Sequence, residues 1–249
     1  MISSNSKKFG LIGRNIDYSF SRKFFTEKFE KEGLNDCSYQ NFDLSDISEF
    51  PSVIENIKNL KGMNVTIPYK QEIFTYLDEI DEIAQEIGAV NTIKITKTHQ
   101  LKGFNTDFYG FKKSLKPFLK SHHQKALILG TGGASKAVAY ALKDLKIPYK
   151  YVSRNPDADQ LSYNDIDNNI FNEYQIIINC TPIGTFPNVN QYPPLPYFLF
   201  TEKHLAYDLI YNPEETSFLR KAKEHNATTV NGLQMLIFQA EKAWEIWNE

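Results

Sequence analysis

Apolar and polar positions follow two different rhythms along this chain, and the change between them falls near Asn105. In the first stretch, residues 8–12 read as a short strand ended by Gly13. Phe24, Phe25 and Phe29 stand at helical spacing within 21–32, and Gly33 follows as a stop. Residues 38–42 suit a second strand. Pro51 and Ser52 open a helix predicted to run to Leu60, and 63–67 form a third strand ended by Pro68. Over 71–87, Ile73, Leu77, Ile80, Ala84 and Ile87 recur at steps of four and three. Acids occupy the other face and Gly88 stands at the end, so one helix is predicted. Residues 90–96 alternate, a turn follows at 97–99, and 101–104 return as the second arm of a hairpin.

Beyond Asn105 the rhythm changes. Residues 108–119 are amphipathic and read as a connecting helix. Strand-like runs at 126–129, 149–153, 176–179, 205–208 and 228–230 then alternate with helical patterns at 135–145 and 217–225. Such alternation predicts a parallel sheet flanked by helices. Residues 182–196 hold five prolines, a loop long enough to suggest a functional lid. Residues 233–247 form a last amphipathic helix. The fold class predicted is α/β in two domains, an open α/β domain over 1–105 and a dinucleotide-binding domain over 106–232.

Composition narrows the function. With 249 residues, 41% of them hydrophobic, the chain can bury two moderate cores. A net charge of -2, with the signs interspersed, provides no basic field for nucleic acid or an anionic membrane. Cys37 and Cys180 have neither metal nor disulfide spacing, which fits a reducing compartment. His99, His122, His123, His204 and His225 show no ligand spacing, so no metal is expected. The first eight residues are polar, and no apolar run approaches the roughly 20 residues needed to span a bilayer. A cytoplasmic protein is expected.

The stretch Leu127-Ile128-Leu129-Gly130-Thr131-Gly132-Gly133-Ala134-Ser135 joins a short apolar strand to a helix start through a glycine turn. Glycines permit a sharp turn and close backbone approach, and the helix start offers free N–H groups to a pyrophosphate. Ser135 replaces the third glycine of the usual dinucleotide fingerprint, and a glycine turn with no ligand stays open on this pattern alone. Arg154, within Ser153-Arg154-Asn155, follows the second strand of that unit. An arginine there suits a 2′-phosphate, although it also reads as a surface charge. Lys70 stands just past a strand end, where α/β sheets form their ligand crevice; it is there to hold an anion or exchange a proton, or as a solvated charge. Thr106 and Asp107 either cap the following helix or serve a site, and the same choice holds for Ser19 and Ser21. Cys180 reads as a small buried residue at a strand end.

Together these stretches resemble the shikimate dehydrogenase family along nearly the whole chain. The matching pieces are GLIGRNIDYSFS, NVTIPYK, GAVNT at 88–92, GFNTD, GTGGASKA, NCTPIGT, YDLIYNPEETSFL and NGLQMLIFQAEKAWEIW at 231–247. The resemblance implies an N-terminal substrate domain, completed by the C-terminal helix 233–249, and a Rossmann domain that binds NADP. It implies reversible reduction of 3-dehydroshikimate to shikimate in aromatic amino-acid biosynthesis. Lys70 and Asp107 would be the catalytic pair. Ser19, Ser21, Thr66, Asn91, Tyr211 and Gln239 would join them around the substrate. Gly130, Thr131, Gly132, Gly133, Ala134, Ser153, Arg154, Asn155, Leu209 and Gly232 would contact the cofactor, with Glu82 a weaker addition. The chemistry suits these residue types: hydroxyls receive the substrate carboxylate, amides and Asp107 its ring hydroxyls, and Lys70 the charge that develops on the carbonyl oxygen. The partners implied are a small-molecule substrate, no nucleic acid and no membrane, in a monomer or homodimer.

The chain departs from the family pattern in two places. Tyr18 and Arg22 replace the usual His and Pro around the serine pair, and Ser-Arg-Asn replaces Asn-Arg-Thr at 153–155. Other readings of the same motifs are a quinate dehydrogenase with relaxed cofactor use and a non-catalytic ligand-binding relative. Retention of both Lys70 and Asp107 argues against the latter. Methylene-tetrahydrofolate dehydrogenase, a fold cousin, does not predict the Ser-Phe-Ser and Gly-Phe-Asn-Thr-Asp context.

Overall fold

The computed structural model describes residues 6–17 and 19–249; Tyr18 and the first five residues of the polar N-terminal stretch lie outside them. The chain divides into two compact units, the first running to Thr106 and resumed at Gln239–Glu249, the second Asp107–Phe238.

The first unit contains β1 (Lys7–Gly13), α1 (Phe20–Lys31), β2 (Cys37–Asp43), α2 (Phe50–Asn56), β3 (Leu60–Val65), β4 (Glu79–Ile80), α3 (Glu82–Ile87), β5 (Thr92–Ile95) and β6 (Leu101–Phe104). Its sheet has the order β2-β1-β3-β5-β6-β4. Strands β1, β2 and β3 are mutually parallel, whereas β5 runs against both β3 and β6. Strand period places Phe9 and Leu11 on one face of β1 and Ile12 on the other, and each face has its own core. Phe25 and Phe29 of α1 close one face, as the Phe24-Phe25-Phe29 spacing predicts. Ile73, Ala84 and Phe50 cover the other.

The single helix predicted over 71–87 does not form. A 3-10 turn at Glu72–Tyr76, β4 and the short α3 occupy the segment. Two of the acids explain the break, because their carboxylates bond to backbone and fix turns there. Asp78 accepts from the Leu101 N–H at 2.7 Å, and Asp81 caps α3 through the Ile83 N–H at 3.1 Å. Ile73 and Ala84 still reach the core, which is why the apolar spacing imitated one helix. The helix predicted over 51–60 likewise stops at Asn56. Ile57 is extended, Asn59 takes a left-handed φ of 61°, and Leu60 already begins β3. The strand predicted over 63–67 accordingly starts earlier and ends at Val65. The predicted hairpin forms, with His99 in the left-handed conformation at its turn.

The second unit follows with α4 (Asp107–Leu115), β7 (Ala126–Leu129), α5 (Gly133–Asp144), β8 (Tyr149–Ser153), β9 (Leu161–Ser162), α6 (Asn168–Glu173), β10 (Ile176–Asn179), β11 (Leu205–Asp208), α7 (Ser217–Lys223) and β12 (Thr228–Val230). Its sheet, in the order β12-β11-β10-β7-β8-β9, is parallel throughout, as the strand–helix alternation predicts. Ala126 and Ile128 enter one core while Leu127 and Leu129 enter the other. A strand covered on both faces has no polar side to show, so β7 and β10 read as unbroken apolar runs. Strand β9 and helix α6 carry no such run and were not legible.

The last helix, α8 (Leu233–Asn248), spans the division between the units. Met235 packs with Val230 and Tyr207 in the second unit. Ala240, Ala243 and Trp247 pack with Phe9 and Phe25 in the first. The Trp247 indole donates to the Ile93 carbonyl at 2.9 Å and lies where a side chain at Gly62 would go. Among the described residues no helix is long and apolar enough to cross a membrane.

Candidate functional site

In the first unit the expected substrate residues share one sheet edge. Lys70 and Thr66 follow the carboxyl end of β3, and Ser19 and Ser21 follow β1. Asn91 precedes β5, whose reversed direction brings its start to the same edge, and Thr106 follows β6. Ser19 caps α1 by accepting from the Arg22 N–H at 3.4 Å. Tyr69, fully buried, anchors the turn before Lys70 by donating its hydroxyl to the Leu44 carbonyl at 2.6 Å. The Lys70 carbonyl accepts from the Val90 N–H at 2.8 Å, which leaves the lysine at a fixed point, half-buried.

A buried polar network backs this edge. The Asn91 Nδ2 donates to Thr106 Oγ1 at 3.0 Å and to Gln239 Oε1 at 3.3 Å, and its Oδ1 accepts from the Thr106 N–H at 2.7 Å. Asn64 donates to Thr92 Oγ1 at 3.3 Å and accepts from the Tyr39 hydroxyl at 2.8 Å. Burial pushes the Tyr39 phenol well above its usual pKa, and a hydrogen bond with Ser21 pulls the other way. Satisfied buried amides of this kind hold one geometry, because a displaced partner leaves a desolvated polar group. Sequence reading missed Tyr39, Asn64 and Thr92. Asn64 and Thr92 lie inside the quoted motifs, but strand patterning gives no sign that they face inward together. Glu82 stands exposed at the first position of α3, in a different unit from the glycine turn.

In the second unit β7 and β10 lie side by side where the strand order reverses, the place where open α/β sheets bind ligands. A groove of about 340 Å³ opens there, walled by residues 130–132, 152–154 and 180–183 with Tyr163. Gly130 has a φ of +93°, and a Cβ there would come within 2.9 Å of the Thr181 methyl. Gly132 and Gly133 face open space, so the protein's own packing does not demand glycine at either. Thr131 and Gly132 are exposed, and Ala134 lies in the first turn of the twelve-residue α5. Ser135, at the missing third glycine, is fully buried, and its hydroxyl donates to the Gly132 carbonyl at 2.6 Å. A small side chain turned into the turn thus serves where the usual fingerprint has none.

Arg154 is exposed on the groove wall. The Ser153 hydroxyl is engaged locally, accepting from the Asn155 N–H at 3.2 Å and donating to the Asn155 carbonyl at 3.1 Å. Cys180 lines the groove, and burial raises its thiol well above the ordinary value, the state of an inert thiol. Leu209 and Gly232 touch: a Cβ on Gly232 would lie 2.0 Å from the Leu209 carbonyl oxygen. Tyr211 is half-buried, and burial raises its phenol. Asp208, missed in the sequence, is fully buried with its carboxyl raised to about 6. It accepts from Thr216 Oγ1 at 2.6 Å, Asn179 Nδ2 at 3.0 Å and the Ile210 N–H at 3.1 Å, and so secures both ends of the segment carrying Tyr211. The proline-rich loop has no helix or strand over 180–196. It is tied down by the Ser217 hydroxyl, which donates to the Val189 carbonyl at 2.9 Å. Asp107 is buried in the first turn of α4. Among the described residues no cluster of three His, Cys, Asp or Glu side chains could hold a metal ion.

Residues 11–93 match the family model for the shikimate dehydrogenase substrate binding domain. A shikimate dehydrogenase (NADP(+)) of Clostridium botulinum is 39% identical, covering 96% of this chain and 95% of its own. The chain belongs to the shikimate dehydrogenase family. A shikimate dehydrogenase solved in complex with NADP+ is 36% identical with a TM-score of 0.86, covering 99% of this chain and 91% of that one. The shikimate 5-dehydrogenase of Thermus thermophilus, solved with NADP(H) and shikimate, is 31% identical with a TM-score of 0.85, covering 97% and 93%. The two-domain fold with a Rossmann-type sheet is therefore the fold of this family.

Proposed function

We propose that this protein catalyses the reversible NADPH-dependent reduction of 3-dehydroshikimate to shikimate, a cytoplasmic step toward chorismate and the aromatic amino acids. The observation that carries the reading is the single sheet edge that gathers Lys70, Ser19, Ser21, Thr66 and the Asn91–Thr106–Gln239 cluster. The groove fits the cofactor: glycines with open space beside them face the helix start, and Arg154 supplies a cation for a 2′-phosphate. Gly130 to Ala134, with Ser153 to Asn155, Leu209 and Gly232, would hold NADPH, which when bound supplies the hydride.

The protein's own residues do the rest. Ser19 and Ser21, at the start of α1, receive the substrate carboxylate, where the helix dipole favours negative charge. Asn91 and Gln239, oriented by their mutual hydrogen bond, address ring hydroxyls. Lys70 donates a proton to the carbonyl oxygen as it gains charge, and Asp107, at the start of the second unit, is the second member of the proposed catalytic pair. In the oxidative direction the same proton returns to Lys70. Shikimate and quinate, each with NADP and with NAD, assayed at the nicotinamide absorbance, test the reading. Turnover of shikimate with NADP is expected to be the most efficient of the four, through Arg154. Equal efficiency with both cofactors would refute the role of Arg154, and turnover confined to quinate would refute the substrate.

A further inference from the structure

One wall of the nucleotide groove belongs to none of the motifs. Strand β9 pairs with β8 in the register Val152 to Leu161 and Ser153 to Ser162. The next residues, Arg154 and Tyr163, therefore leave adjacent parallel strands at the same level, and both line the groove. Tyr163 is held firmly. It begins a 3-10 turn closed by a capping box, in which the Asp165 carboxylate accepts from the Ser162 N–H at 2.7 Å. Its ring packs against the core face that carries Leu129 and Val152, yet the residue is only half-buried because its remaining surface faces the groove. Its hydroxyl has no hydrogen-bond partner among the described residues. Pro182 and Ile183 contribute the apolar surface of the loop after β10.

A flat aromatic surface beside a guanidinium matches the two ends of an adenosine 2′-phosphate, whose base takes a π-face and whose phosphate takes the cation. We propose that Tyr163 is the purine-contacting wall of the cofactor site, so that the ring, not the hydroxyl, makes its contribution. The proposal rests on the cofactor reading above. Base-to-aromatic contact of this kind commonly amounts to about tenfold in affinity, or about 1.4 kcal/mol.

The test is equilibrium binding of NADPH, NADH and adenosine 2′,5′-bisphosphate, none of which requires turnover. Tyr163→Leu, which keeps apolar bulk without a flat face, is expected to weaken all three about tenfold. Tyr163→Phe is expected to bind all three like the parent protein. Arg154→Ala is expected to weaken only the two ligands that carry a 2′-phosphate. In the parent protein, nuclear Overhauser contacts should join adenine ring protons to the Tyr163 ring, assigned by their loss in Tyr163→Leu. Unchanged binding in Tyr163→Leu, equal weakening in Tyr163→Phe, or absence of those contacts would overturn the assignment while leaving the cofactor reading intact. Failure of the parent protein to bind any of the three would overturn both.

Discussion

The two sheets present the same kind of edge to a ligand and build it by opposite means. On the first sheet the edge is made of side chains: Lys70, two serines, and amides held by the buried Tyr39–Asn64–Asn91–Gln239 network. On the second it is made largely of backbone: a left-handed glycine, open space at Gly132 and Gly133, and the start of α5. A small polar substrate with several hydroxyls needs donors and acceptors at defined points, which only fixed side chains supply. A pyrophosphate needs N–H groups and room, which backbone supplies best. Removing a side chain should therefore hurt the first site most, and adding one should hurt the second.

The largest expected effect is on the support of the first edge. Trp247 donates to Ile93, stacks on Phe9 with ring centroids 5.0 Å apart and fills the space beside Gly62. Trp247→Ala should lower the unfolding free energy by about 3–5 kcal/mol. Trp244 remains in the same core and reports the transition by fluorescence in denaturant. A loss below about 1 kcal/mol would show that α8 is not a structural part of that sheet.

Next comes the buried carboxylate of the second unit. Asp208 titrates near 6 in the folded protein, against about 3.9 in an unfolded chain. Between those values the folded state keeps the proton that the unfolded state has lost, so stability falls as pH rises from about 4 to about 6. The displacement corresponds to about 2–3 kcal/mol. Asp208→Asn removes the titration, so the gap in unfolding free energy between the two proteins should change across that window and be flat above it. Parallel curves throughout would contradict the assignment.

Two smaller changes separate the edges themselves. Gly130→Ala forces an L residue to a φ of +93° and a methyl against Thr181, and should weaken NADPH binding about tenfold while leaving the first unit unaffected. Tyr39→Phe strips the donor from the buried Asn64 carbonyl and should cost about 1 kcal/mol. Its signature is a raised KM for shikimate with an unaltered NADPH affinity. An equal loss in both affinities would break the comparison.

The second sheet was the more legible of the two. Its strands are covered on both faces, so they appear as apolar runs, and its turn opens on a left-handed glycine, Gly130. The first sheet misled at 71–87, because apolar positions at helical spacing reached the core through three different elements while Asp78 and Asp81 bonded to backbone. Lys70, Ser19 and Asn91 were found through motifs, not periodicity, since a buried amide and a surface amide look alike in a sequence. Tyr163 and β9 were invisible for another reason. A two-residue strand has no pattern, and its importance comes only from the register with β8.

The central claim, that the first edge performs the proton chemistry and the second only holds the cofactor, is tested most directly by Lys70→Ala. Single-turnover hydride transfer from NADPH should fall by about two decades or more, while the Kd for NADPH measured by titration stays that of the parent protein. Near-normal hydride transfer, or a loss of rate matched by an equal loss of NADPH affinity, would contradict it.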